Sequence, residues 1–83
     1  METPTINSNS IVVYKKNEML YIDAGNYMME KIEIYDVSGR LIYSKSEVDD
    51  TKTVISNLSV ANQVLLVKIV TSENGTATKK MVY

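Results

Sequence analysis

The chain has 83 residues, of which 45% are hydrophobic, and its nine basic and ten acidic side chains give a net charge of −1. This length fits one small domain, and the charge argues against non-specific nucleic-acid binding, which needs a basic surface. Cysteine and histidine are absent, which excludes disulfides, thiolate ligands and histidine bases, and no apolar run approaches the roughly 20 residues of a transmembrane helix.

The first part of the chain predicts a linker followed by two short strands. Residues 1–10 are rich in Thr, Asn and Ser, which predicts a flexible linker. The β-branched and apolar runs 11–14 and 19–22 predict an edge strand and its partner, joined by a polar turn over 15–18. Turn-forming residues follow, and residues 27–30 are too few to nucleate a helix, so we expect them to form a loop packed under the sheet.

A β-hairpin over residues 31–44 is the strongest local signal. Apolar and polar residues alternate on both sides of a short turn, as in strands with one buried face. Asp36 suits the first turn position because its carboxylate accepts backbone N–H groups, and Gly39 suits the last because glycine adopts positive φ without strain. The segment therefore predicts a type I turn followed by a left-handed glycine.

The rest of the chain adds three strands. Residues 47–50 predict a polar crossover, residues 51–55 a strand, and Leu58 an inward-facing anchor. The apolar run 64–70 predicts a central strand buried on both faces, from which Lys68 extends to solvent. Asn74-Gly75 predicts a second hairpin turn before a closing strand over 76–83. About seven short strands separated by turns predict an all-β fold, an antiparallel β-sandwich.

The residues predict no catalytic, metal or cofactor site. The only carboxylate cluster, Glu47 with Asp49 and Asp50, could bind calcium weakly but is more typical of a solvated loop. The three glycines are isolated, so no phosphate-binding loop is predicted. Six tyrosines could stack on sugars, although half-buried packing in a sheet is their commoner role. They are Tyr14, Tyr21, Tyr27, Tyr35, Tyr43 and Tyr83.

Residues 34–43, IYDVSGRLIY, resemble the core motif of the C-terminal sorting domains of the type IX secretion system in Bacteroidetes, the Por secretion tail family. The order of the other segments is similar over residues 11–83, from the first apolar strand to the Lys79-Lys80 pair. Residues 62–65, NQVL, stand where the commonest form has a Gly-x-Tyr pair. This departure resembles the variant called sorting signal type C. The Pro-Asn-Pro that often precedes the first strand is also missing.

The resemblance implies an Ig-like sandwich, with residues 11–83 as the C-terminal sorting domain, and a non-catalytic signal that directs a cargo protein across the outer membrane. It implies an upstream cargo domain with its own signal peptide, and as partners the translocon and outer-membrane shuttle components. In many members a sortase-like peptidase then removes the domain. The implied location is the periplasm in transit, then the cell surface or the medium.

We expect two recognition strips, one at the hairpin turn and one on the last strand. Arg40 offers five donors in a fixed fork, and the lysine pair offers charge. The candidate residues are Asp36, Gly39 and Arg40 in the first strip, and Lys79, Lys80 and the Tyr83 carboxylate in the second. A terminal edge strand also permits pairing with a partner strand or a homodimer.

Two other functions stay open at this point. One is a structural or adhesive β-sandwich, or a carbohydrate-binding module appended to a secreted enzyme, that uses exposed tyrosines. The other is a small hydrolase, which would need paired carboxylates in a deep pocket.

Overall fold

Alternating apolar residues form strands throughout the part of the chain that the computed structural model describes, residues 11–56, 58, 63–72 and 75–83. The strands are β1 (Val12–Lys16), β2 (Met19–Asp23), β3 (Met29–Asp36), β4 (Leu41–Asp50), β5 (Lys52–Ile55), β6 (Val64–Thr71) and β7 (Thr76–Val82). None of the described residues is helical, so the all-β prediction is confirmed. The predicted linker, residues 1–10, and Asn74 of the second turn lie outside the described residues.

The strands form two antiparallel sheets, one with the order β1-β2-β5 and one with the order β4-β3-β6-β7. The first sheet matches the A, B and E strands of an immunoglobulin domain, and β3, β6 and β7 match its C, F and G strands. β4 pairs with β3 and therefore belongs to the four-stranded sheet. The predicted Ig-like β-sandwich is therefore confirmed.

The core lies between the inner faces of the sheets. On β2 and β6, and on β3 from Ile32 onward, every second residue is buried, as the period of two requires. Burying such side chains contributes roughly 1.5–3 kcal/mol each. Leu58 packs against the core, as predicted. The buried core residues are Ile11, Leu20, Ile22, Ala24, Met29, Ile32, Ile34, Ile55, Leu65, Val67, Ile69, Ala77 and Tyr83.

β6 is an interior strand, as predicted, but only one of its faces is fully buried. Its outer residues are half-buried because no third layer covers the four-stranded sheet among the described residues. Lys68 lies on this outer face, where its Nζ is 4.0 Å from a Glu33 carboxylate oxygen. The prediction of a strand covered on both faces is therefore wrong, and Lys68 has an ordinary position on the sheet surface.

β3 begins at Met29, so the predicted packed loop over residues 27–30 is wrong for its second half. A register shift between Met29 and Lys31 interrupts the pairing with both neighbouring strands. Met29 and Ile32 consequently both face the core although they are three positions apart. Because that spacing resembles one turn of a helix, the sequence lacks the alternation that indicates a strand at this point.

β4 continues to Asp50, so the predicted polar crossover over residues 47–50 is also wrong. Asp50 pairs with Met29, while Glu47 and Asp49 have φ of 55° and 49°. The pairing with β3 thus overrides the polar composition and leaves an irregular strand. On the other side of the sandwich, β1 extends through Lys16, which is two residues further than predicted.

Candidate functional site

The hairpin turn between β3 and β4 is organised by the Asp36 carboxylate. Asp36 Oδ1 accepts hydrogen bonds from the Ser38 N–H at 2.9 Å, the Ser38 hydroxyl at 2.6 Å and the Arg40 N–H at 3.0 Å. The Gly39 N–H donates to the Asp36 carbonyl at 3.0 Å, and Gly39 has φ of 88°. The predicted roles of Asp36 and Gly39 in this turn are confirmed.

These contacts also fix the charge state of the turn. The hydrogen bond from the Ser38 hydroxyl, followed by that from the Arg40 N–H, holds the pKa of Asp36 below its ordinary value of 3.8. Asp36 is therefore ionised at neutral pH, and its Oδ2 lies 3.3 Å from Arg40 Nε. The Arg40 side chain is nonetheless 76% exposed. The turn thus presents a guanidinium that is oriented on one side and open to solvent on the other.

The turn lies at the end of the four-stranded sheet, next to a row of side chains on its outer face. This end row crosses all four strands and consists of Leu41, Tyr35, Leu66 and Lys80. Leu41 is 47% exposed, whereas Tyr35 and Leu66 are half-buried. Arg40 precedes Leu41 and pairs with Asp36, so its guanidinium lies at the turn next to this row, whereas Lys80 belongs to the row itself.

An ionic cluster lies one row further along the outer face. Glu33 has its carboxylate oxygens 3.5 Å from Lys31 Nζ and 4.0 Å from Lys68 Nζ. Partial burial, together with the negative charge of Glu33, raises the pKa of the Tyr35 hydroxyl above its ordinary value of 10.0. Tyr35 is therefore neutral at physiological pH and can donate a hydrogen bond to Glu33.

The structure separates the lysine pair of the second predicted strip. Lys79 is half-buried and lies opposite the buried Val67, so it extends along the inner side of the sheet edge. Lys80 is exposed on the outer face beside Leu66. Consecutive residues of a strand point to opposite faces, so a single flat surface contacts only one of the two.

Tyr83, the third residue of that strip, has a buried side chain. Its hydroxyl donates to the Glu18 carbonyl at 3.0 Å, and its N–H donates to the Gln63 carbonyl at 2.9 Å. Lys15 Nζ lies 4.6 Å from the ring centroid, within the range of a cation–π contact. The side chain therefore fastens the end of the last strand to the β1–β2 turn and is not part of an exposed strip. The roles in recognition proposed for the six candidate residues stay predictions; the residues are Asp36, Gly39, Arg40, Lys79, Lys80 and Tyr83.

A groove on the outer face of the three-stranded sheet contains two of the six tyrosines named above as a stacked pair, a pairing that the sequence did not predict. The Tyr14 and Tyr21 rings are stacked, with centroids 5.0 Å apart and planes 3° from parallel. The groove has a volume of about 300 Å³ and is lined in part by these rings, by Val54, and by Asp23 and Lys52. The Asp23 carboxylate accepts the Gly25 N–H at 2.8 Å and lies 3.9 Å from Lys52 Nζ.

The sequence signal for the stacked pair is Asn17, a residue type that favours the first central position of a two-residue hairpin turn. Asn17 and Glu18 both have positive φ, 52° and 63°, as in a two-residue hairpin turn of type I′. A turn centred on these two residues places Tyr14 opposite Tyr21. The four-residue turn predicted over 15–18 hid this register.

The acidic residues of β4 do not form a metal site with other side chains. In the described ranges no three side chains of the His, Cys, Asp and Glu types come together as metal ligands would. The same ranges contain no helical segment of membrane-spanning length and hydropathy.

Comparison with known proteins gives a family for the whole chain. No curated protein matches the sequence. A family model described as a domain of unknown function, DUF8694, matches residues 1–83. Because the match covers the full length, the chain belongs to the DUF8694 family.

Proposed function

We propose that this domain is a non-catalytic C-terminal sorting signal that directs a cargo protein across the outer membrane through a type IX secretion system. The observation that carries the proposal is one end of the four-stranded sheet, where the exposed guanidinium of Arg40 lies at the turn, next to the end row of apolar side chains that leads to Lys80. A sorting signal needs a folded shape and a distinctive exposed surface. The sandwich supplies the shape, and this end of the four-stranded sheet supplies the surface.

The roles of the residues within IYDVSGRLIY support this proposal. Ile34 is buried in the core, the Asp36 carboxylate holds the turn, and Gly39 supplies its positive φ. Each of these three has a structural reason for its identity. Arg40 has a weaker one, because its backbone N–H would bind Asp36 whatever its side chain, and that side chain is mostly in solvent. An arginine in such a position is suited to bind a carboxylate or a carbonyl of a partner.

The partners follow from the same proposal. The cargo domain precedes the sorting domain in the full-length protein, and the translocon with its outer-membrane shuttle components recognises the folded sandwich. A sortase-like peptidase at the surface is a further candidate partner. The domain is in the periplasm during transit and then at the cell surface or in the medium.

Fusion to a reporter tests this function. Residues 1–83 are joined to the C-terminus of a reporter that is exported to the periplasm of a Bacteroidetes strain with a working type IX system. We expect the reporter in the medium or on the surface, and less of it there with Arg40→Ser. Lys52→Ser is the matched control, because Lys52 is a similarly exposed basic residue on the opposite sheet. Retention of the unmodified fusion in a strain that exports its own cargo would disprove the function.

The tyrosine groove favours carbohydrate binding as a second candidate function. Tyrosine rings pack against sugar rings, while the Asp23 carboxylate and Lys52 ammonium at the groove can bind hydroxyl groups. Because Asp23 is held by the Gly25 N–H, its carboxylate is already oriented. Titration with soluble oligosaccharides, with Tyr14→Ala as the variant and Tyr27→Ala as the control, tests this candidate. It is excluded if no oligosaccharide binds the parent, or if both variants bind equally well.

A further inference from the structure

β7 is the last strand of the four-stranded sheet, and alternate residues along it point their backbone groups away from β6. The Tyr83 N–H donates to the Gln63 carbonyl at 2.9 Å, and the Thr71 N–H donates to the Gly75 carbonyl at 2.8 Å. In an antiparallel ladder, hydrogen-bonded and non-hydrogen-bonded pairs alternate. The odd-numbered residues of β7 therefore bond to β6. The even-numbered ones have N–H and C=O groups that point to the free edge, the side of β7 with which no other described strand pairs, and they are Thr76, Thr78, Lys80 and Val82.

Among the edge strands of the described chain, β7 is the one best suited to accept another strand. Its seven residues pair with β6 without a register shift, and none of them has positive φ. β4 is interrupted by the positive φ of Glu47 and Asp49, which twist an edge away from a regular partner. β1 and β5 have only five and four residues. The four side chains that lie in line with the free backbone groups of β7 are all exposed.

The charges at this edge determine which segment fits. β7 carries Lys79 and Lys80, and β1, which packs against β7, carries Lys15 and Lys16. A second copy of β7 placed antiparallel at the edge would bring lysines opposite or diagonal to lysines, and like charges in such positions are destabilising. A strand with carboxylates on both faces would instead meet Lys80 on the outer face and Lys79 on the inner one.

We infer that the free edge of β7 binds an extended acidic segment of a partner protein as a fifth strand of this sheet. The backbone groups of the even-numbered residues supply the hydrogen bonds, and the two lysines select acidic side chains. This inference deepens the proposed function and rests on it for the partner's identity, because it names the chemistry of the segment that a secretion partner presents. Binding itself is a property of the isolated domain.

Binding of a designed peptide to the whole 83-residue chain tests the inference. The probe is a fluorescent seven-residue peptide of valines with two consecutive glutamates at its centre, which places one carboxylate on each face of the strand, and its control has lysine in place of both glutamates. Fluorescence anisotropy should show saturable binding of the acidic peptide that weakens with added salt, and little binding of the basic one. The NMR signals of the Thr78 and Lys80 amides should shift, and their exchange with solvent should slow.

Two variants of Thr78 separate edge pairing from simple charge attraction. Thr78→Pro removes an N–H that points away from β6, so it leaves the ladder to β6 intact, and proline is tolerated at such edge positions. It should weaken binding about tenfold or more, the effect of one or two lost hydrogen bonds and a blocked edge. Thr78→Ala keeps the N–H and should bind as the parent does. If Thr78→Pro does not fold, the pair Lys79→Glu with Lys80→Glu takes its place, and we expect it to prefer the basic peptide.

Several results would overturn the inference. They are equal binding of both peptides, no binding of either, unchanged affinity in folded Thr78→Pro, or a β7-mediated dimer of the parent chain that excludes the peptide. The proposed function fails separately. If the domain exports its reporter but binds no acidic peptide, only the edge inference is wrong. If it binds the peptide as described but exports no reporter, the edge inference is supported and the sorting function is wrong.

Discussion

Replacing Gly39 measures how much the turn that presents Arg40 depends on a left-handed glycine. Gly39 has φ of 88°, and a Cβ added there would have no heavy atom within 4 Å. A larger side chain therefore causes backbone strain without a steric clash. That strain costs an L-residue roughly 1–2 kcal/mol and a β-branched residue somewhat more, so Gly39→Val should lower the free energy of unfolding by about 1–3 kcal/mol. Each kcal/mol corresponds to a fall in Tm of roughly 4–8 °C in a domain of this size.

Urea unfolding followed by far-UV circular dichroism gives the free energy of unfolding directly. Gly39→Asn is the matched control, because asparagine adopts left-handed conformations more readily than valine and should therefore lose less stability. Equal losses for the two variants would mean that the preference of a residue type for positive φ does not determine the cost. An unchanged urea midpoint for Gly39→Val would refute the argument from positive φ.

Three further substitutions test contacts at the same end of the sandwich. Glu18→Gly should raise the free energy of unfolding by up to about 1 kcal/mol, because Glu18 has φ of 63° at a hairpin position that favours glycine. Tyr83→Phe should lower it by about 0.5–1.5 kcal/mol, because the hydrogen bond to the Glu18 carbonyl is lost. Asp36→Asn should reduce the acid sensitivity of the fold. The pKa of Asp36 is lowered by its bond from the Ser38 hydroxyl, so its contribution is complete above the ordinary value of 3.8 and is lost as pH falls through the lower folded-state pKa.

Urea midpoints at neutral pH check the first two of these variants, and midpoints measured from neutral pH down to about pH 2 check the third, since the protons bind below the ordinary carboxyl range. A lower urea midpoint for Glu18→Gly would contradict the argument from positive φ. An unchanged midpoint for Tyr83→Phe would mean that the hydrogen bond to the Glu18 carbonyl does not stabilise the fold. If the urea midpoints of Asp36→Asn and the parent fall in parallel as the pH is lowered, ionisation of Asp36 does not contribute to the stability of the fold.

Alternation of apolar residues was sufficient to predict the strands whose pairing is regular. Ile32 and Ile34 are both buried, as the period of two requires. The same reasoning failed where a strand is irregular. Met29 precedes a bulge, and Glu47 and Asp49 remain in β4 only because β3 pairs with that strand, so no local pattern indicates their conformation.

The candidate site was predictable where its chemistry is local. Asp36 and Gly39 form their turn with neighbouring residues, and the sequence indicates that turn directly. The burial of Tyr83 was not predictable, because its hydroxyl bonds to a carbonyl 65 residues away. The facing pair of Tyr14 and Tyr21 lies between these cases, since it depends on the register of a short hairpin.

The most direct test of the sorting proposal is the export of a reporter fused to the parent domain, to Thr78→Pro or to Thr78→Ala. Each domain is first shown to be folded, and the strain is shown to export its own type IX cargo. We predict that the parent and Thr78→Ala fusions reach the cell surface or the medium, while the Thr78→Pro fusion stays in the periplasm. Retention of the parent fusion in such a strain would contradict the sorting function, and full export of folded Thr78→Pro would show that the edge of β7 is not recognised.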